Sequence, residues 1–150
     1  PNEDAQALYA RLADLGGSLL VETVAAIERG SASRTPQDGA QATLAPMLSK
    51  ELSPMDWTRT AQELHNQGRG LIPWPAAVTE LGGKRCKVFS TVTETAPEGA
   101  KPGAVLEAGK GGVLVACGGN TALRILELQP DGGKRMKAAD YLRGHPLPLG

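Results

Sequence analysis

The run Gly112-Val113-Leu114-Val115-Ala116-Cys117-Gly118-Gly119-Asn120-Thr121-Ala122-Leu123-Arg124-Ile125-Leu126-Glu127-Leu128-Gln129 decides the fold class of this chain. Residues 112–117 and 123–129 are short apolar runs bounded by turn residues, which reads as two strands. Gly118-Gly119-Asn120 between them suits a tight hairpin, because glycine and asparagine accept the positive φ that such turns demand.

The same pattern extends upstream. Further β-type runs are expected at residues 77–81, 85–92 and 104–108, separated by Gly82-Gly83, residues 97–103 and Gly109-Lys110-Gly111. Five or six short strands at this spacing predict an α+β, mainly β, domain built as a small closed Greek-key barrel resembling an OB-fold.

Before residue 76 the pattern is helical. Leu8, Leu12, Leu15 and Leu19 fall at spacings of four, three and four, and Val24 and Ile27 extend the stripe, so an amphipathic helix is expected over residues 4–29. Gly16-Gly17 weakens it midway and Gly30 is placed to cap its end. Such a helix needs an apolar partner, either the rest of this domain or a larger domain that is absent. The opening Pro-Asn-Glu-Asp looks cut from something longer. Residues 30–56 carry Gly, Ser, Thr, Pro and Gln without a sustained period and read as a linker. A second helix is expected over residues 59–67, with Thr58 as N-cap, Gly68 or Gly70 near its end, and Ala61, Leu64 and His65 facing inward. Pro73-Trp74-Pro75 forbids further helix, and Trp74 is expected to plug the base of the barrel.

At 150 residues and 41% hydrophobic content the chain suffices for one core, and no apolar run reaches the ~20 residues of a membrane span. No basic-then-apolar leader is present at its start. Net charge is zero, yet unevenly spread: residues 1–66 hold nine acids and five Lys/Arg, while residues 67–150 hold seven acids and eleven Lys/Arg. A basic half points to a polyanionic partner. The charge gathers in Lys84-Arg85-Cys86-Lys87, where strand alternation puts Arg85 and Lys87 on one face, and again in Lys134, Arg135 and Lys137. A solvated sheet surface, or an edge protected by charge, accounts equally for the first cluster. Cys86 and Cys117 lie in apolar runs, outside any metal-binding spacing, and read as buried small hydrophobes. No metal is expected.

Gly103 to Gly111 imitates a phosphate-binding loop but has five residues where four are needed and Gly111 where Ser or Thr must stand. It reads instead as a hairpin turn. His65 and His145 have no Ser, Cys or carboxylate partner at a diagnostic spacing, so neither is a catalytic candidate. On its residues alone, the chain is a binding module.

Several segments in order resemble the bacterial methionyl-tRNA formyltransferases. Leu8-Tyr9-Ala10-Arg11-Leu12-Ala13 through Leu20-Val21-Glu22-Thr23 is similar to the last helix of that family's catalytic domain. Thr35-Pro36-Gln37-Asp38 and Ala45-Pro46-x-Leu48-Ser49-Lys50-Glu51 are similar to its linker. Leu64-His65-Asn66, Arg69, Leu71, Pro73-Trp74-Pro75 and the stretch from Leu126 through Lys134-Arg135-Met136-Lys137-Ala138-Ala139-Asp140-Tyr141-Leu142-Arg143-Gly144-His145 to Leu147 complete the likeness. Leu44, Met47 and Gly68 depart from the pattern, where Tyr, Lys and a branched apolar residue are usual.

The resemblance implies a parent enzyme that moves a formyl group from 10-formyltetrahydrofolate to the amino group of methionyl-initiator tRNA in the cytoplasm. Its catalytic Asn-His-Asp set and donor site lie in an N-terminal half absent here. Residues 1–30 then correspond to the terminal helix of that half, 31–56 to the interdomain linker, and 57–150 to the C-terminal barrel. No catalytic residue is expected in this segment, which should be inert alone. The expected RNA contacts are Arg69, Lys84, Arg85, Lys87, Lys134, Arg135 and Lys137. They would work by shape and phosphate contacts, because Phe89 is the one aromatic residue between 77 and 129. The intact enzyme is expected to be monomeric, and the uncovered helix 4–29 to let the isolated segment self-associate. The alternatives are the C-terminal domain of a sugar formyltransferase and a stand-alone RNA-binding module. The terminal signature argues against the first, and the uncovered helix against the second.

Overall fold

The computed structural model describes residues 2–150, so Pro1, the first residue of the predicted 1–30 segment, lies outside it. The chain forms two compact units, Gln6–Met47 and a second of Leu48–Gly150 with the residues before Gln6.

In the first unit, helix α1 runs Ala5–Glu28, close to its predicted limits, and Gly16-Gly17 does not interrupt it. It ends as expected at Gly30, whose φ is 68°. The Gly30 N–H donates to the Ile27 carbonyl at 3.0 Å and the Ser31 N–H to the Ala26 carbonyl at 2.9 Å, so the left-handed turn satisfies two carbonyls of the last helical turn. None of its side chains is buried, and Leu12, Leu15 and Leu19 are each more than half exposed. Beyond it the chain is extended except for a 3-10 turn, Gly39–Gln41, which Asp38 caps by accepting from the Ala40 N–H.

The second unit is built on strands β1 (Ala77–Leu81), β2 (Lys84–Thr95), β3 (Val105–Gly109), β4 (Gly112–Cys117), β5 (Thr121–Pro130) and β6 (Met136–Lys137). All five predicted strands are present, two at their predicted limits. The order is β1-β2-β5-β4-β3, with β6 added against β5, and every pairing between these strands is antiparallel. The Gly82-Gly83, Lys110-Gly111 and 118–120 hairpins form where the glycines predicted them.

The expected closure into a barrel does not occur. β1 and β3 are the two ends of the strand order and do not pair with each other. Their outer edges are occupied by irregular segments instead. Val78 donates to the Ser53 carbonyl at 2.7 Å and accepts from the Met55 N–H at 2.9 Å, while Gly150 donates to the Val105 carbonyl at 3.2 Å. Backbone groups satisfied in this way have no need of a closing strand pair. Trp57 packs on the core beside Gly103 and its Nε1 donates to Thr79 Oγ1 at 3.2 Å. The residue that plugs this open side is therefore Trp57. Trp74, expected in that role, is 52% exposed.

Helix α2 spans Ala61–Gly70, two residues later at its start than predicted. Its N-cap is Thr60, which forms a reciprocal capping box with Glu63; Thr58 donates its N–H and hydroxyl to Asp56 Oδ1 in the preceding turn. The Thr121 hydroxyl accepts from the Ala61 N–H at 2.8 Å and donates to the Gly118 carbonyl at 2.7 Å, tying the helix start to the β4–β5 hairpin. Ala61, Leu64 and His65 face inward as expected. A short helix α3, Ala138–Gly144, buries Ala138 and Tyr141. Neither α3 nor β6 was expected. The core joins Leu64 and Tyr141 to Val88, Val113, Val115, Leu123, Ile125 and Leu128, with both cysteines buried and unbridged.

A candidate nucleic-acid interface

The burial of β2 alternates from its start: Arg85 and Lys87 are exposed, Cys86 and Val88 buried. Antiparallel register sets Lys87 opposite Gln129 on β5, and Glu127 opposite Lys137 on β6. The loop between β5 and β6 returns over the sheet. Gln129 Nε2 donates to the Gly133 carbonyl at 2.9 Å, which fixes the residue before Lys134. Arg135 lies 4.6 Å from the Phe89 ring centroid and donates two hydrogen bonds to Glu127. The two cationic clusters, some fifty residues apart in the chain, are thus brought to one outer face of β2, β5 and β6.

The placement of the seven predicted contacts is uneven. Lys87, Arg135 and Lys137 share this face, with Lys134 exposed in the loop between the anchored Gly133 and Arg135, but the Arg135 charge is matched by Glu127. Arg85 begins the same row and also lines a cavity of ≈ 590 Å³ with Pro54, Trp57 and Glu80. Lys84 turns toward α3, where its Nζ donates to His145 Nε2 at 2.8 Å, and the imidazole stacks on Tyr141 with ring centroids 4.4 Å apart. Arg69 stands apart on α2, its guanidinium donating to the Glu3 carbonyl and to Asn66 Oδ1. Among the described residues, no carboxylate lies within salt-bridge distance of Lys84, Arg85, Lys87, Lys134 or Lys137. Unpaired exposed cations on a rigid sheet are free to meet phosphates without first breaking an ion pair.

The positive face has a boundary. Arg124 on β5 binds Glu94 on β2 and reaches Glu107 on β3 at 2.8 Å. Hydrogen bonding to Glu94 is the main reason the guanidinium is held protonated more firmly than usual and, reciprocally, the Glu94 carboxyl lies below the ordinary range. One cation between two carboxylates leaves that end of the sheet negative. The register partner of Arg124 on β4, Leu114, is buried.

His65 Nδ1 pairs with Thr91 Oγ1 at 2.8 Å, and His145 is engaged by Lys84 and the Tyr141 carbonyl, so neither histidine faces a carboxylate. In the ≈ 590 Å³ cavity the indole N–H and the Thr79 hydroxyl are bonded to each other. Among the described residues, no three His, Cys, Asp or Glu side chains gather, and no helix is long and apolar enough to cross a membrane.

Residues 47–146 match the family described as formyl transferase, C-terminal domain. The chain is 45% identical over 143 residues to the methionyl-tRNA formyltransferase of Bacillus subtilis (strain 168), covering 95% of this chain and 45% of that protein. It is 46% identical over 144 residues to the methionyl-tRNA formyltransferase of Desulfotalea psychrophila (strain LSv54 / DSM 12343), covering 96% and 44%. The chain therefore spans about half the length of the curated relatives it matches. Among solved structures, a HypX variant from Aquifex aeolicus superposes with a TM-score of 0.67 at 20% identity, over 95% of this chain and 26% of that one. That likeness concerns the fold alone.

Proposed function

The chain belongs to the formyl transferase C-terminal domain family, and from that premise we propose that it is the tRNA-binding portion of a methionyl-tRNA formyltransferase. The parent enzyme passes a formyl group from 10-formyltetrahydrofolate to the amino group of methionyl-initiator tRNA during translation initiation in the bacterial cytoplasm. The donor and the catalytic residues belong to an N-terminal half, and this portion alone is inert. Residues 1–30 are the terminal helix of that half, where the apolar stripe of α1 is covered. Residues 31–56 are the connection, of which 48–56 lie against the sheet unit. Residues 57–150 grip the tRNA. The parent acts as a monomer, and the exposed stripe lets the isolated portion self-associate.

The observation that carries the reading is the outer face of β2, β5 and β6, with Lys87, Lys134 and Lys137 unpaired. Phe89 is already covered by Arg135, so base stacking contributes little and phosphate contact dominates. The test is binding of the 150-residue chain to initiator and elongator tRNA across a salt titration. Weak binding to both is expected, with log K falling linearly in log salt by about 0.7–0.9 per phosphate contacted. An affinity that barely changes between low and moderate salt would refute the cationic face.

A further inference from the structure

Beyond the seven predicted contacts, the fold brings an eighth cation to the same face. The β3–β4 hairpin turns at Lys110-Gly111. Gly112, just after it, has a φ of 101°, and a Cβ there would stand 2.2 Å from the Ile125 carbonyl oxygen. Only glycine permits this approach, so the hairpin base is pressed onto β5 and its tip is fixed beside β6. Lys110 then lines a pocket of ≈ 290 Å³ together with Lys137, Ser90 and Glu127. Lys110 and Lys137 come from turns and strands 27 residues apart in the chain.

The charge of this pocket is positive despite its carboxylate. Glu127 is already bound by Arg135. Among the described residues, neither Lys110 nor Lys137 has a carboxylate within salt-bridge distance, and Ser90 adds its hydroxyl to the lining. Two ammonium groups and a hydroxyl suit a tetrahedral oxyanion, which takes point-charge donors from several directions. The volume exceeds what a bare phosphate needs and leaves room for an attached ribose.

We propose that the pocket between the β3–β4 hairpin tip and β6 is a phosphodiester subsite, in which Lys110 and Lys137 clasp one backbone phosphate of the bound RNA. This rests on the tRNA-binding reading and deepens it. Sharing one phosphate has a distinctive consequence: the two lysines act as a unit and their losses do not add.

The experiment is a tRNA titration of the chain at several salt concentrations, for wild type, Lys110→Ala, Lys137→Ala, the double variant, Lys87→Ala and, as a control, the exposed loop variant Lys101→Ala. Each pocket variant is expected to weaken binding about tenfold at low salt and to lower the salt slope by up to about one. The double variant should lose less than the two single losses combined, and Lys101→Ala should change neither quantity. If Lys87→Ala lowers the slope while both pocket variants leave it unchanged, the subsite is refuted and the RNA reading stands. Should the wild-type chain show no salt-sensitive binding, both fall. Inorganic phosphate alone, followed through the Gly111 and Gly112 amide resonances, is expected to bind far more weakly than RNA. Saturation at low millimolar phosphate would instead make this a free-phosphate site and overturn the RNA assignment.

Discussion

Replacing Gly68 by alanine should stabilise the protein, although the position is buried. Gly68 lies within α2 and has no positive φ, so its backbone is one that any L-residue adopts. A Cβ built there meets no heavy atom within 4 Å beyond its own helix. The substitution therefore neither clashes nor gains a packing contact, and what remains is the backbone entropy that glycine loses in a helix. That difference is about 0.8–1.0 kcal/mol in favour of alanine. For a unit of this size it corresponds to a rise in melting temperature of about 4 °C. In urea the midpoint should move up with the slope of the transition unchanged. Gly118→Ala is the opposite case. Its Cβ would stand 1.9 Å from the Thr58 carbonyl oxygen, which belongs to a backbone segment held by the Trp57 and Arg59 carbonyls accepting from the Gly118 N–H. A loss of about 2 kcal/mol or more is expected there. A lower melting temperature for Gly68→Ala, or shifts of the same sign for the two variants, would refute the argument from local space.

Three further outcomes follow from the core and its ionisable groups. Trp57→Ala should cost about 3 kcal/mol, because the indole closes the open side of the sheet and holds Thr79, whereas Trp74→Ala should change stability by no more than about 0.5 kcal/mol; equal losses in urea unfolding would restore Trp74 to the core. Burial pushes the Cys117 thiol up to about 11 and raises that of Cys86, so neither should react with a thiol reagent at pH 8 until the protein unfolds, and rapid labelling of the folded chain would contradict this. Burial first, and the Arg69 charge second, lower the pKa of His65. The unfolded chain then binds the extra proton between the ordinary value of 6.5 and the lower folded one, so stability should fall as pH drops below about 6.5. The His65→Gln variant should lose that slope, and an unchanged profile would count against the assignment.

Much of the fold was legible because its signals are local. Positive-φ residues at Gly82-Gly83 and in the 118–120 turn announced hairpins, and both hairpins formed. The leucine spacing of residues 8–19 and the glycine at 30 bounded α1 within a residue or two. Thr60-x-x-Glu63 was a capping-box signature in plain view, and choosing Thr58 overlooked the carboxylate three residues beyond the true cap. Barrel closure was not legible. It depends on what satisfies the edges of β1 and β3, and those groups come from residues 53–55 and Gly150, which carry no strand pattern of their own. β6, at two residues, is too short for any periodicity to register, and the choice between Trp57 and Trp74 was decided by tertiary packing.

The site was legible as charge and illegible as geometry. Counting cations found Lys84 through Lys87 and Lys134 through Lys137, since neighbours in sequence stay near one another on a strand or loop. It gave equal weight to residues that the fold treats differently: Arg135 is matched by Glu127, Arg69 is engaged at the start of the chain, and Lys84 turns toward His145. The acid that removes Arg135 from the free charge lies eight residues away on the facing strand, so only register reveals the pairing. Lys110 shows the converse. A single lysine in a glycine turn has no cluster to announce it, and its place beside Lys137 follows from Gly112 pressing the hairpin onto β5. Recognition of a polyanion by a sheet surface thus depends less on how many cations the sequence holds than on which of them the strand register leaves without a carboxylate. On the outer face of β2, β5 and β6, with the hairpin tip beside it, that criterion sets Lys87, Lys110, Lys134 and Lys137 apart from Arg135, and their removal should lower the salt slope of tRNA binding.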